Sequence, residues 1–280
     1  MTQLPPNHVL EAFGLSGEPV PAGMSWDLGW RYDSMVLSQV ADSARAAWSA
    51  KLRETLQIDG IHVARPGRTT DGRHVLSGWQ SRHWMPGNCA PRADEILVAA
   101  VRIDEALSGI SRPQFLVNPD PNVFSVCDRA VWSDNTVAEL SMILDPDAIP
   151  RPDAAEALTV ASSLLRLRGD IAGETQLTHG DVVGTLLFDG ATEPVLTDIV
   201  PRWRVKGWGA AVAAVDCLAF LGADEDLLAR FDHIPEWNEL LIRAVCFRLL
   251  AHAAFPESKR SSWRGLARAA EIVRSMVTED

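Results

Sequence analysis

The chain changes its period near residue 80, and that change limits what it can fold into more than any other feature. Before it, short apolar runs alternate with turns. A helix over 7–13 ends at Gly14, strand candidates at 26–32 and 34–40 meet at Tyr32-Asp33, and a breaker-free helix spans 42–56 with Asp42 or Ser43 as N-cap. Strand candidates at 63–65 and 74–79 flank Asp71-Gly72, a hairpin signal. After it, helical patterns cover 93–107, 153–168, 207–221, 236–254 and 262–277, interrupted by one β-rich island at 176–200. The expected fold is α+β with two lobes: a small β-rich lobe over 1–82, a hinge at 83–91 that contains Pro86-Gly87 and Pro91, and a helical lobe over 92–280.

Composition narrows the partners. With 280 residues, 47% hydrophobic and 22% charged, the chain can build two cores and is not disordered. A net charge of −11 disfavours nucleic acid and anionic membrane surfaces, though a local pocket can still be positive. Cys89, Cys127, Cys217 and Cys246 are far apart, without a CxxC pair, which fits a reducing compartment and no zinc site. The start of the chain lacks a basic, apolar leader, and the apolar stretch 208–221 is short and carries Asp216. A cytoplasmic location is expected.

The island carries the chemistry. His179-Gly180-Asp181 precedes Gly184 and the apolar Leu186-Leu187-Phe188, and a second strand ends at Thr197-Asp198. A hairpin of this size can bring Asp181 and Asp198 to one end of a sheet, where one carboxylate could serve as a base and the other could hold Mg²⁺. Equally, Asp181 could simply cap a turn and Asp198 a strand end.

This pattern resembles the catalytic loop and metal-binding strand of the aminoglycoside and choline phosphotransferases, within the protein-kinase-like superfamily. The resemblance extends to Gly60-Ile61-His62-Val63-Ala64-Arg65-Pro66, to Thr70-Asp71-Gly72-Arg73, Gly78-Trp79 and Trp84-Met85-Pro86-Gly87, and to Pro201-Arg202-Trp203-Arg204 after Asp198. It implies ATP and Mg²⁺ as cofactors and a small-molecule acceptor. Asp181 would be the catalytic base, Asp198 the Mg²⁺ ligand, and His179 would orient the loop. Asp216 would bond loop backbone groups.

Three positions depart from the family pattern. Thr185 stands where the family carries a metal-contacting Asn, which makes Thr185 a weaker second Mg²⁺ ligand. Ser38, in the strand from Met35 to Val40, stands at the place of the phosphate-holding Lys, and no Lys precedes Lys51. Arg31 or Arg45 could supply the missing charge, and Glu54, the Lys partner by position, reads as a surface residue. The turn Pro21-Ala22-Gly23-Met24-Ser25-Trp26 has one Gly where close approach to phosphates favours several. Two functions follow: a phosphotransferase that passes the ATP γ-phosphate to a hydroxyl, or a pseudokinase-like protein that binds a ligand or a protein partner without efficient catalysis.

Overall fold

The computed structural model describes residues 3–118, 121–144 and 151–279. In chain order, α1 (Asn7–Phe13) is followed by β1 (Val20–Pro21), β2 (Trp30–Tyr32), β3 (Met35–Gln39), α2 (Ser43–Thr55), β4 (His62–Val63), β5 (Val75–Leu76) and β6 (Trp79–His83). Then come α3 (Ala93–Ala106), α4 (Val123–Ala130), α5 (Thr136–Leu140), α6 (Pro152–Leu165), β7 (Thr175–His179), α7 (Val182–Thr185), β8 (Leu186–Leu187), β9 (Val195–Leu196) and β10 (Pro201–Val205). Helices α8 (Trp208–Phe220), α9 (Asp226–Ala229), α10 (Trp237–Ala254) and α11 (Ser261–Glu279) complete the chain. The result is a mixed α+β fold, β-rich at its N-terminal end and helical over the larger remainder. No helix among the described residues is long and apolar enough to cross a membrane.

Two compact units divide the chain: residues 1–90, 105–108 and 179–202 form one, and residues 91–104, 109–178 and 203–280 the other. By compactness the hairpin therefore groups with the N-terminal residues. Strand pairing explains why. β4 lies parallel to β9, with His62 opposite Val195, and β9 is antiparallel to β8, giving the sheet order β4-β9-β8.

The first unit's main sheet has the order β1-β2-β3-β6-β5. Alternation along β3 sends Leu37 to one face, where Val9 of α1, Tyr32 and Trp79 cover it. Val36 and Ser38 face the other way, and their cross-strand partners on β6 are Arg82 and Gln80. That second face holds the candidate site. Asp42 caps α2 by accepting from the backbone N–H groups of Ala44 and Arg45. At the other end of α2, Arg65 donates to the Arg53 and Leu56 carbonyls.

Three expectations are corrected here. Asp71-Gly72 does not join two paired strands. The hairpin is β5–β6, and Ser77 (φ 51°) and Gly78 (φ 76°) form its turn, both left-handed as a type I′ turn requires. Trp26 lies in a 3-10 turn, Met24–Trp26, rather than in a strand. The strand candidate at 74–79 is split by the Ser77-Gly78 turn, and its second part runs on as β6 to His83.

The second unit packs around α8, apolar on nearly every face, and α10, and both are largely buried. Trp132 meets Trp208 edge-on at 5.3 Å, and the Trp237 indole donates to the Leu228 carbonyl. These aromatic side chains serve packing. Asp216 is bound by Arg248 through a two-point ion pair.

Candidate functional site

The loop after β7 is closed by neutral hydrogen bonds. The Val200 N–H donates to His179 Nδ1 at 2.9 Å, so the His179 proton sits on Nε2, 2.7 Å from the Thr185 hydroxyl. That hydroxyl in turn donates to the Asp181 carbonyl at 2.6 Å. Burial pushes the His179 pKa down to about 4, against the pull of Asp181 and Asp198, so the ring stays neutral near pH 7. His179 orients the loop, as the resemblance implies. The Asp181 carboxylate caps the single turn of α7, accepting from the Gly184 N–H at 3.3 Å. A Cβ at Gly184 would lie 2.6 Å from Asp181 Oδ2, so the cap itself requires glycine there. The Thr185 carbonyl accepts from the Thr197 N–H (2.9 Å) and hydroxyl (3.1 Å), tying the Asp181 loop to the Asp198 strand.

Asp198 is only 3% exposed and is enclosed by α2. Arg45, Ser49 and Arg53 recur at a spacing of four and so share one helix face. Ser49 donates to Asp198 Oδ1 at 2.6 Å and the Ile199 N–H donates to the same oxygen at 2.8 Å. Arg53 Nε lies 3.3 Å from Oδ1, and Arg45 Nη1 lies 3.8 Å from Oδ2. Burial alone would raise the Asp198 pKa, but Arg53, then Arg82 and Arg45, outweigh it and bring it down to about 2. Arg53 feels the reverse: burial lowers its pKa to about 10 although Asp198 supports the charge.

Ser38 is fully buried on β3 and meets a cation from the adjacent strand. Arg82 Nη2 donates to Ser38 Oγ at 3.0 Å and to Asp27 Oδ2 at 2.6 Å, while its Nη1 lies 3.4 Å from the Thr197 carbonyl. A guanidinium from β6 thus lies beside Ser38 on β3. Of the two arginines expected to supply the missing charge, Arg45 reaches Asp198 and Arg31 stacks on Trp84 at 4.3 Å. Glu54 pairs with Arg68 through two hydrogen bonds of 2.7 Å.

Ser38, Asp181, Thr185 and Asp198 therefore lie in one connected network within the first unit. Sequence reasoning alone does not single out Arg53, Ser49, Arg82 or Asp27. The spacing of Arg45, Ser49 and Arg53 is a usable signal, whereas nothing local marks Arg82.

A divalent cation does not fit this arrangement. Both Asp198 oxygens already have cationic neighbours, and the Thr185 hydroxyl is engaged by His179 and the Asp181 carbonyl. No group of three or more His, Cys, Asp or Glu among the described residues is placed to hold a metal ion. Mg²⁺ would compete with two arginines for one buried carboxylate.

No family model matches the chain, and no curated protein matches it by sequence. Solved structures do match by fold. An aminoglycoside phosphotransferase from Alicyclobacillus acidocaldarius superposes with a TM-score of 0.58 at 14% identity, over 100% of this chain and 96% of the other. A microcompartment-associated aminopropanol kinase gives 0.54 at 12% identity, over 97% and 95%. A spectinomycin phosphotransferase in complex with ADP and spectinomycin gives 0.53 at 11%, over 88% of each chain. The chain has the fold of the aminoglycoside phosphotransferases.

Proposed function

We propose that this chain is a binding protein built on the phosphotransferase fold, in which Asp198 is a structural counter-ion and metal-dependent phosphoryl transfer is lost. The observation that carries this reading is the enclosure of Asp198 by Arg53, Arg45, Ser49 and the Ile199 N–H. A carboxylate so compensated has little to gain from Mg²⁺, and freeing it would leave Arg53 buried without its partner. Ser38 in place of the lysine supports the same reading, since it cannot orient phosphates by charge. Function does not follow from fold alone.

One observation favours the second reading, a small-molecule kinase using ATP. The Asp181 loop is intact, with its relay through His179 and Thr185 in place. There Asp181 would accept a proton from an acceptor hydroxyl, and Asp198 would have to exchange its arginines for a cation.

The test is phosphate transfer from ATP to a panel of amino- and hydroxyl-bearing acceptors in Mg²⁺. The binding reading expects no transfer and no Mg²⁺-dependent gain in thermal stability with nucleotide. Transfer that needs Mg²⁺ and disappears in Asp181→Asn overturns it in favour of the kinase.

A further inference from the structure

Asp153, His252 and Ser258 form a second relay, all three within the second unit and none of them part of the Asp181–Asp198 network. α10 ends at Ala254 and the chain turns at once, the Ser258 N–H donating to the Phe255 carbonyl at 3.0 Å. The Ser258 hydroxyl lies 2.6 Å from Nδ1 of His252, in the last turn of α10. His252 Nε2 lies 3.1 Å from Oδ2 of Asp153, in the first turn of α6. Arg151 fastens the two helices, its Nη2 donating to the His252 carbonyl at 3.1 Å. Trp263 of α11 stacks on the imidazole, with ring centres 6.1 Å apart and planes inclined by 18°. The ring is held in both place and orientation.

The protons follow from the partners. An ionised carboxylate only accepts, so the ring proton sits on Nε2 and Nδ1 is left to accept from the Ser258 hydroxyl. Burial lowers the His252 pKa below its ordinary 6.5, against the pull of Asp153, so the ring is a free base near pH 7. A hydroxyl bonded to a neutral imidazole, itself oriented by a carboxylate, is the arrangement that turns serine into a nucleophile. Solvent reaches this loop: Pro256, Glu257, Lys259 and Arg260 are exposed, and Ser258 is half-buried among them. Arg260 Nε lies 3.8 Å from Asp153 Oδ1 on a largely exposed side chain, which puts a positive charge beside the relay for a developing oxyanion.

We propose that Ser258 is a nucleophile toward small carboxylic esters, with His252 as its base and Asp153 as the residue that positions the ring. Ser258 Oγ attacks the ester carbonyl carbon while its proton passes to His252 Nδ1. The bond to the alcohol oxygen then breaks, and that oxygen leaves with the proton from Nδ1. A water molecule attacks the acyl group in the same way, giving its proton to Nδ1. The bond to Oγ breaks, the acid departs and Oγ recovers the proton. This activity goes beyond the binding reading and does not depend on it.

The first probe is a fluorophosphonate, whose phosphorus takes Ser258 Oγ with loss of fluoride; the second is p-nitrophenyl acetate. Mass spectrometry should place the phosphonyl adduct on Ser258 in the native protein, with none after unfolding in urea. Ser258→Ala should abolish both the adduct and ester hydrolysis. Asp153→Asn, checked for folding by circular dichroism, should slow labelling on the order of a hundredfold, because the Nε2–H tautomer is no longer enforced. Labelling should also hold down to about pH 6.5 and fall below it, as His252 takes up a proton. A role confined to fastening α6 to α10 would not produce that profile. If Asp153→Asn does not fold, the pH profile of the wild type decides. No adduct on Ser258, labelling no faster than in the unfolded chain, or a rate flat down to about pH 4 overturns the proposal. Ester hydrolysis that is absent, or that survives in Ser258→Ala, overturns it as well.

Discussion

Asp181 and Asp198 end up in contrasting surroundings. The Asp181 loop is closed by a run of neutral hydrogen bonds, from the Val200 N–H through the His179 ring and the Thr185 hydroxyl to the Asp181 carbonyl. Asp198 is enclosed by ionic partners that reach it from α2. The loop depends on residues near in sequence, and each link is worth little alone. The ionic cage depends on a distant helix and stakes several kcal/mol on one carboxylate. Two carboxylates joined by one short hairpin thus sit in unlike surroundings, one beside neutral hydrogen bonds and the other among charges.

The sharpest way to break this contrast is at Arg53. Arg53→Met should cost about 3–5 kcal/mol in urea unfolding, because Asp198 is left buried with incomplete compensation. Adding Asp198→Asn should restore most of that loss. A cost no larger than a surface substitution would show that the cage is not ionic in effect.

The neutral side is tested by pH. The unfolded chain protonates His179 near 6.5, whereas the folded chain resists until about 4. Stability is therefore full above about pH 6.5 and falls as pH drops to about 4, by on the order of 3 kcal/mol. His252, also lowered by burial, adds to the fall with the same sign. Asp198, with its pKa depressed to about 2, contributes only below about pH 4, where its stabilisation is lost as pH falls through 2. Urea midpoints measured from pH 7 to 4 should decline, and His179→Gln should flatten the decline. An unchanged slope in that variant would place the titration elsewhere.

The smallest effect is expected at Thr185. Thr185→Val leaves His179 Nε2 and the Asp181 carbonyl without their partner and should cost about 1–3 kcal/mol. Thr185→Ser should keep most of it. Equal losses in the two variants would make the methyl group, not the hydroxyl, the feature that matters.

Much of the fold was legible because its signals are local. Asp42 announces the start of α2, Gly14 the end of α1, and the helices of the second unit carry long apolar patterns. His179, Gly184 and the two aspartates were legible because a loop and hairpin of fixed length place them. The rest was not legible because its causes are remote. Arg53 reads as a solvated helix residue until Asp198 arrives from the far end of the first unit. The strand candidate stops at 79 because Gln80 and Arg82 are polar, yet their partners are Ser38, Asp27 and the Thr197 carbonyl. Asp27 sits within an expected strand, and only the left-handed backbone after Trp26 turns its carboxylate toward Arg82.

Three of the four cysteines, Cys127, Cys217 and Cys246, are buried deeply enough for burial to push their thiols up to about 12, so they stay protonated and unreactive. Cys89 is exposed, with its sulfur 3.2 Å from the Ser25 hydroxyl and hydrogen-bonded to the Val183 carbonyl. The molecule thereby carries one natural attachment point for a thiol-reactive dye, seated where the turn ending in Trp26 meets α7.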